Sequence, residues 1–171
     1  GSALLKNADL AKRLVEATKK EVSIPVSVKT RLGWDCIDDL IPFCQGLVDA
    51  GADALAIHGR TYEGKFGGDA NWDPIYELKD NISVPVIGNG DVCTAQDAVD
   101  KIKNLDGVMV GRGTFGNPWV MKDICDALIH GKEPGEPTVQ TISFEEKIPF
   151  IIDHCELAVK VKGQKRGMLE M

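Results

Sequence analysis

Four short apolar runs dominate the order of hydrophobic and polar positions along the chain. They lie within residues 24–33, 52–61, 84–92 and 106–116. Each run is nearly continuous in apolar residues, which is typical of parallel strands that are buried on both faces of a sheet. We therefore predict an α/β fold with a four-stranded parallel sheet covered on both faces.

Apolar residues at helical spacing mark helices beside these strands. The residues that define the four apolar faces are Leu10, Leu14, Val15 and Ala17; Ile37, Leu40, Ile41, Leu47 and Val48; Ala95, Ala98, Val99 and Ile102; and Val120, Ile124, Ala127 and Leu128. The second helix would carry Cys36 and Cys44. Thr94 is a candidate N-cap, and Gly51 and Gly131 stand where helix C-caps are expected. The order predicted is one helix followed by four strand–helix units.

The pattern changes near Gly131. Residues 130–141 are rich in proline, glycine and charge, as linkers are. Beyond them, Ser143 and Glu146 have the spacing of a capping box that opens a helix, with Pro149 in its first turns. The apolar stripe of that helix would consist of Ile148, Ile151, Ile152, Cys155 and Val159. We predict a first domain over residues 1–131, a linker over 132–142 and the start of a helical domain over 143–171.

Polar and glycine-rich residues follow every predicted strand. They are Lys29, Thr30 and Arg31; His58, Gly59 and Arg60; Asn89, Gly90 and Asp91; and Gly111, Arg112 and Gly113. Ligands of parallel α/β sheets bind at the carboxyl ends of the strands, so we expect these side chains to share one edge. Glycines let an anion approach backbone N–H groups, and Arg112 adds a charged donor. The last two turns therefore predict a site for a phosphorylated cofactor between residues 88–91 and 111–113.

Composition and charge narrow the class of protein. The 171 residues are 43% hydrophobic, which is enough for one globular domain. The net charge of −6 argues against a protein that coats nucleic acid without specificity, although a local basic patch could still bind one. There is no apolar run of about 18 residues and no visible leader, so we expect no membrane span and no secretion. The five scattered cysteines include no CxxC pair, which indicates reduced thiols in a cytoplasmic protein and no zinc site.

Four strand–helix units amount to half of a (β/α)8 TIM barrel, which typically needs about 250 residues. Phosphate sites in such barrels form after the seventh and eighth strands, so we expect this chain to hold the last four units. The first four strands would then lie outside the sequence. Half a barrel has two open parallel edges, which invite pairing. These edges predict either a longer protein or a homodimer.

Four segments together resemble the flavin-dependent tRNA-dihydrouridine synthases. They read VSVKTRLGWD, IHGRTYEGKFGGDANWDPI, VPVIGNGDV and GVMVGRGTFGNPW, and the resemblance covers essentially the whole chain. It implies an FMN-binding barrel followed by a small helical domain that helps to hold tRNA. It also implies reduction of the C5–C6 double bond of selected tRNA uridines, with FMN as the cofactor and NADPH as the reductant.

The resemblance implies roles for individual residues. Those that match FMN-binding positions are Lys29, His58, Asn89, Gly90, Asp91, Gly111 and Arg112. Arg31 and Arg60 match positions near the substrate pocket. The basic end of the chain is either a solvated helix end or an RNA-facing patch, and it contains Lys162, Lys165 and Arg166. Trp72 is expected to pack in the core, whereas Trp34 either packs or touches RNA.

The cysteine that acts as the acid in this family belongs to a strand outside this sequence. We therefore expect no catalytic residue in the chain and no activity of the chain alone. Two alternatives stay open. One is another FMN-binding barrel oxidoreductase that acts on a free pyrimidine, similar to dihydroorotate dehydrogenase. The other is a half barrel without catalytic activity that dimerises.

Overall fold

The computed structural model describes residues 1–64 and 67–169, of which Lys165, Met168 and Leu169 are described by their backbone alone. The chain divides into two compact units, Gly1–Pro134 and Gly135–Met171. The predicted linker at residues 132–142 spans the boundary between them. No described helix is both long and apolar enough to cross a membrane.

A parallel sheet with the strand order β1–β2–β3–β4 forms the centre of the first unit. Its elements are α1 (Ala8–Glu21), β1 (Ser27–Arg31), α2 (Leu40–Asp49), β2 (Ala54–His58), α3 (Asp73–Asn81), β3 (Val86–Asn89), α4 (Ala95–Ile102), β4 (Gly107–Met109) and α5 (Val120–Leu128). One 3-10 turn, Ser2–Lys6, precedes this series, and another, Arg112–Thr114, lies between β4 and α5. The predicted parallel sheet and its alternation with helices are confirmed.

The core lies between the helices and one face of the sheet. Leu55, Ile57 and Val86 point to this face and are fully buried, together with Leu47 of α2 and Ile75 of α3. Sequential parallel strands joined by right-handed crossovers place their helices on the same side. The described helices therefore cover one face of the sheet, and the second face carries Lys29, Arg31, His58 and Asn89 beside Ala56 and Ile87. That both faces are covered stays a prediction.

Two aspartates fix the amino ends of the strands in the same way. Each accepts a hydrogen bond from a backbone N–H at the start of the preceding strand and pairs with a lysine from the helix before that strand. The contacts join Asp53 to Val26 (2.7 Å) and Lys19 (2.5 Å), and Asp106 to Val86 (2.7 Å) and Lys79 (2.8 Å). The lysine hydrogen bond, followed by the backbone hydrogen bond, lowers the pKa of each carboxyl. The two halves of the sheet thus have equivalent clamps.

The start of α2 and the position of α3 differ from the predicted pattern. The helix expected to include Cys36 begins only at Leu40, and Cys36 lies in an exposed loop. Its backbone N–H donates to Asp35 Oδ1 (3.0 Å), a local bond that competes with helix formation. The apolar pattern had not marked α3, which buries only Ile75 and Leu78.

The apolar face predicted for α1 is split between core and solvent. Val15 is buried, whereas Leu10 and Leu14 are 40% and 47% exposed and Ala17 is exposed as well. The helix lies beside β1, an outer strand of the sheet, and packs against α2 on one flank. Its other apolar residues therefore remain in contact with solvent.

The predicted helix caps are present. Thr94 Oγ1 accepts from the Asp97 N–H (3.0 Å), and the Asp97 carboxylate accepts from the Thr94 N–H (2.9 Å), which completes a capping box. Gly51 and Gly131 follow α2 and α5 with φ angles of +102° and +63°. Glycine adopts this left-handed conformation without steric cost, which is why it suits the end of a helix.

The second unit consists of α6 (Thr138–Thr141), α7 (Phe144–Lys162) and α8 (Gln164–Leu169). The predicted capping box of Ser143 and Glu146 opens α7, and Pro149 lies in its early part. Side chains of the predicted apolar stripe are largely exposed, with Ile151 at 48% and Ile152 at 50%. The helix is confirmed, whereas its apolar stripe is not buried within this unit.

Candidate functional site

A row of side chains crosses the carboxyl edge of the sheet. The strand register pairs Arg31 with His58, His58 with Asn89, and Asn89 with Met109. Paired residues of parallel strands point to the same face, which here is the face opposite the helices. Lys29 stands two residues before Arg31 and shares this face. The structure thus brings together the predicted residues of the first three strands.

The turn after β4 lies against the turn after β3. The fourth strand ends at Met109, two residues earlier than the predicted polar ending, and the Asn89 side-chain amide donates to the Met109 carbonyl (2.8 Å). A Cβ at Gly113 would lie 2.5 Å from the Val92 carbonyl oxygen, so only glycine permits this backbone contact. At Gly111, by contrast, a Cβ would meet open space. The two glycines therefore differ, one closing the turn and the other facing an opening.

Asp91 forms the centre of the polar contacts at this edge. Its Oδ2 accepts from Arg60 Nη2 (2.7 Å) and from the Ala70 N–H (2.8 Å), and its Oδ1 lies 3.6 Å from Arg112 Nη2. Burial alone would raise the pKa of this carboxyl, but the hydrogen bonds from Ala70 and Arg60 and the charges of both arginines outweigh it. The pKa of Asp91 consequently lies below its ordinary value, and the carboxylate is charged at neutral pH.

Arg60 is buried, with 7% of its surface exposed. Its Nε and Nη2 donate to the Gly68 carbonyl (3.2 and 2.7 Å), and Nη2 also donates to Asp91. A buried guanidinium requires such partners because an unpaired charge is very costly away from water. The sequence predicts a place near the substrate for Arg60, and in the structure its guanidinium joins the Gly68 carbonyl to Asp91 of the turn after β3.

His58 lies between cations. Its Nε2 is 3.4 Å from Arg60 Nη1. Burial, followed by the charges of Arg31, Lys29 and Arg60, lowers the pKa of the imidazole to about 4, although Asp91 opposes the shift. The ring is therefore neutral at physiological pH and can both donate and accept a hydrogen bond.

Lys29 and Arg31 extend the positive charge along β1. Burial and the nearby Arg31 charge lower the pKa of Lys29, and Arg31 Nη1 donates to the Thr61 carbonyl (2.9 Å). Arg112 stands at the other end of the edge with its side chain 60% exposed. The edge as a whole can attract an anion and can offer a neutral donor between its charges.

Two predicted aromatic positions have clear packing roles. Trp72 is 7% exposed, and its Nε1 donates to the Gly90 carbonyl (3.2 Å), which confirms the core position. The Trp34 ring stacks on Tyr62 at a centroid distance of 4.0 Å, and the Lys6 ammonium lies 3.7 Å from its ring centroid. The structure favours packing over RNA contact for Trp34.

Sequence reasoning missed the contribution of the loop between β2 and α3. The Gly68 carbonyl and the Ala70 N–H anchor Arg60 and Asp91, yet neither residue carries a functional side chain. The only signal for them was the Gly67–Gly68 pair, which marks a tight turn. Backbone groups of this kind escape a search for functional side chains.

The basic residues at the carboxyl end belong to the second unit. Lys162 lies in the last turn of α7 and Arg166 in α8, and both are exposed. Lys165 is described by its backbone alone, so the structure does not place its side chain. Within the described part of the chain, no group of three or more His, Cys, Asp or Glu side chains is arranged to hold a metal ion.

A family model described as dihydrouridine synthase matches residues 1–171. The chain belongs to the dihydrouridine synthase family. The resemblance seen in the sequence motifs is thereby confirmed, and the family assignment favours this reading over an enzyme of free pyrimidines.

Curated relatives agree with the family assignment. A probable tRNA-dihydrouridine synthase of Rickettsia typhi is 37% identical over 98% of this chain and 51% of its own length. The tRNA-dihydrouridine synthase B of Pasteurella multocida is 35% identical over 98% of this chain and 50% of its own length. A probable tRNA-dihydrouridine synthase 1 of Synechocystis is 36% identical over 99% and 47%. The chain spans about half the length of these relatives.

Proposed function

We propose that the chain forms the last four strand–helix units of a (β/α)8 barrel in a tRNA-dihydrouridine synthase and that its carboxyl edge holds FMN. The row of Arg31, His58 and Asn89, with Arg112 beside the open turn at Gly111, is the observation that carries this proposal. Donors, cations and an opening for an anion stand together where parallel sheets bind ligands.

The half-barrel proposal is supported by surfaces that the described residues leave open. Leu10 and Leu14 of α1 are 40% and 47% exposed at the β1 end of the sheet. The sheet face opposite the helices carries Lys29, Arg31 and His58. Further strands of a barrel would cover both surfaces, and the relatives are about twice as long as this chain.

The turn after β4 suits the phosphate of FMN. A Cβ at Gly111 would meet nothing within 4 Å, which leaves room for an anion to approach the backbone. The Arg112 guanidinium is 60% exposed and lies 3.6 Å from Asp91, so it is anchored near this opening. A phosphate there would gain a charge-assisted hydrogen bond from Arg112.

The remaining residues of the edge suit the flavin ring and the ribityl chain. Lys29 would place a positive charge beside the ring, and His58 and Asn89 would supply neutral polar contacts. When bound, FMN would supply the redox chemistry for reducing the C5–C6 double bond of a tRNA uridine, with NADPH as the source of hydride. The chain's own residues would bind and orient the cofactor.

We propose that the tRNA contacts the basic residues Lys162, Lys165 and Arg166, with Arg31 closer to the target base. Folded RNA is recognised largely through its shape and backbone charge, so a local basic patch suffices in a protein with a net charge of −6. We also propose that the chain alone does not complete the reaction. The thiol of Cys44 is buried and its pKa is raised to about 12 by burial, so it is a poor proton donor.

A titration of the chain with FMN, followed by flavin fluorescence, tests the cofactor proposal. Arg112→Ala removes a hydrogen bond to a charged group, which is worth about 1.5–3 kcal/mol, and should weaken binding by about 10- to 150-fold. Asn89→Ala should weaken binding as well. Lys122→Ala is the matched control, because Lys122 is an exposed cation on α5 that pairs with Asp126.

Equal FMN affinity of the Arg112→Ala and Lys122→Ala proteins would contradict the placement of the phosphate. No saturable binding by a chain that circular dichroism shows to be folded would contradict a cofactor site within this chain. Gel filtration tests the separate prediction of a homodimer through the open sheet edges. Elution at the monomer mass at micromolar concentration would contradict that prediction.

A further inference from the structure

The Nε2 edge of the His58 ring is closed by protein groups. Arg60 Nη1 lies 3.4 Å from Nε2. A Cβ at Gly90 would lie 3.4 Å from His58 Cδ2 and 3.7 Å from Nε2, so the Gly90 backbone packs against the same edge. The contacts given for the ring lie on this edge, so a ligand would meet His58 at the opposite edge, with Nδ1 and Cε1.

From this arrangement we infer that Arg60 is a positioning residue that fixes His58 as the Nδ1-protonated tautomer. A guanidinium has five N–H donors and no acceptor. The contact between Arg60 and His58 therefore requires a lone pair on Nε2, and the single proton of the neutral ring must reside on Nδ1. His58 then offers an N–H donor at the edge that faces a ligand.

Arg60 can fix the tautomer of His58 because its own guanidinium is held in place. Its guanidinium is held by two hydrogen bonds to the Gly68 carbonyl and by one to Asp91. It is 7% exposed, so water cannot easily replace these partners. A guanidinium held by three hydrogen bonds to these two partners presents Nη1 to His58 in one orientation.

Burial, and then the charges around it, keep the His58 ring neutral. Lys29 and Arg31 face it from β1, Arg60 from the turn after β2, and Asp91 from the turn after β3. Three cations against one carboxylate oppose protonation of the imidazole. His58 should therefore keep one proton, on Nδ1, at every pH above about 5, because its pKa is about 4.

The preferred partner of this donor is an acceptor oxygen or nitrogen of a heteroaromatic ring or its carbonyl group. A ligand that offers an N–H at this place would be rejected because two donors would then face each other. The nature of the ligand rests on the proposed function, which places a flavin at this edge. The tautomer itself depends only on the protein.

Long-range 1H–15N correlation spectra of the 15N-labelled chain, recorded without flavin, test the inference. The expected spectrum of His58 shows a protonated Nδ1 and an unprotonated Nε2, unchanged between pH 5.5 and 8. The His58→Gln protein identifies its signals, and His130 and His154 serve as internal references. A protonated Nε2 in the wild-type chain overturns the inference, whatever the variants do.

Variants of Arg60 separate positioning from simple packing. Arg60→Met keeps the apolar bulk but has no donor, so His58 should exchange between tautomers and titrate at a higher pH than in the wild-type chain. Arg60→Lys retains a donor and should retain the Nδ1–H form. Arg13→Gln, which removes an exposed arginine from α1, is the matched control and should change nothing. An unchanged His58 tautomer in a folded Arg60→Met chain overturns the positioning role.

Addition of FMN distinguishes this inference from the proposed function. An Nδ1-protonated His58 in a chain that binds no FMN supports the inference and refutes the cofactor site in this chain. FMN binding by a chain whose His58 is protonated on Nε2 supports the cofactor site and refutes the inference. Binding that shifts the Nδ1 signal supports both.

Discussion

Replacing Asp91 with asparagine should destabilise the first unit by removing the counter-charge of Arg60. Asp91 supplies the counter-charge of the buried Arg60 at 2.7 Å and also accepts the Ala70 N–H at 2.8 Å. Removing one partner of a buried ion pair costs about 3–5 kcal/mol. Because the Asp91 side chain is 31% exposed and asparagine keeps an acceptor oxygen, we expect a loss of about 2 kcal/mol.

The assay is urea unfolding followed by tryptophan fluorescence. Trp34, Trp72 and Trp119 all lie in the unit Gly1–Pro134, so their emission reports on that unit alone. Asp100→Asn is the matched control, because Asp100 is an exposed carboxylate on α4 that accepts from the Gln96 side chain. A loss in Asp91→Asn no greater than in Asp100→Asn would refute the role of Asp91 as the anchor of Arg60.

The same comparison has a defined pH dependence. The pKa of Asp91 is lowered in the folded chain, so its stabilising effect is present above the unfolded value of about 4. The effect is lost as the pH falls through the folded value, when the carboxyl becomes protonated. The difference in unfolding free energy between wild type and Asp91→Asn should be constant from pH 5 to 8 and should shrink below about pH 4. A difference that grew on acidification would contradict this assignment.

Three further changes test other parts of the fold. Gly88→Ala should cost about 1–3 kcal/mol because its Cβ would overlap the Trp72 ring and Leu105, whereas Gly111→Ala, whose Cβ meets open space, should leave the urea midpoint unchanged. Asp106→Asn should cost roughly 1 kcal/mol at pH 7 after allowance for its 39% exposed side chain, and this loss should vanish below about pH 4, since the pKa of Asp106 is lowered in the folded chain. Iodoacetamide at pH 8, with mass spectrometry of the peptides, should modify the exposed Cys36 and Cys93 well before the buried Cys44, whose pKa is about 12; equal rates would contradict the burial of Cys44.

The sequence predicted the parts of the fold that depend on local order. Apolar runs, caps such as Thr94 and Ser143, and the alternation of strands with helices follow from short-range chemistry, and the structure contains them. The boundary of α2 was misjudged because Asp35 bonds locally to the Cys36 N–H. The exposed flank of α1 was misjudged because an apolar pattern does not reveal whether a neighbouring element is present to cover it.

The sequence predicted which residues gather at the carboxyl edge of the sheet, but not what each of them contacts there. Arg31, His58 and Asn89 do fall in one row, as strand endings of a parallel sheet must. The sequence could not separate side chains that face a ligand from those that support them. Arg60 and Asp91 are 31 residues apart, and they meet only because two neighbouring strands end side by side, which no local pattern encodes.

This distinction resolves an apparent conflict at the edge, where a carboxylate stands within a site proposed to bind a phosphate. Asp91 contacts two arginines, but the side chain of Arg60 is only 6% exposed, whereas that of Arg112 is 60% exposed. The shorter contact, at 2.7 Å, joins Asp91 to the buried Arg60. The carboxylate therefore mainly neutralises a cation that solvent and ligand cannot reach. Arg112 lies 3.6 Å from Asp91 and its side chain is 60% exposed, so an anion at the open turn can reach its positive charge. An acidic residue can therefore assist an anion site by stabilising a buried arginine that positions the site. Asp91→Asn should consequently weaken FMN binding, even though it removes a negative charge that would repel the phosphate.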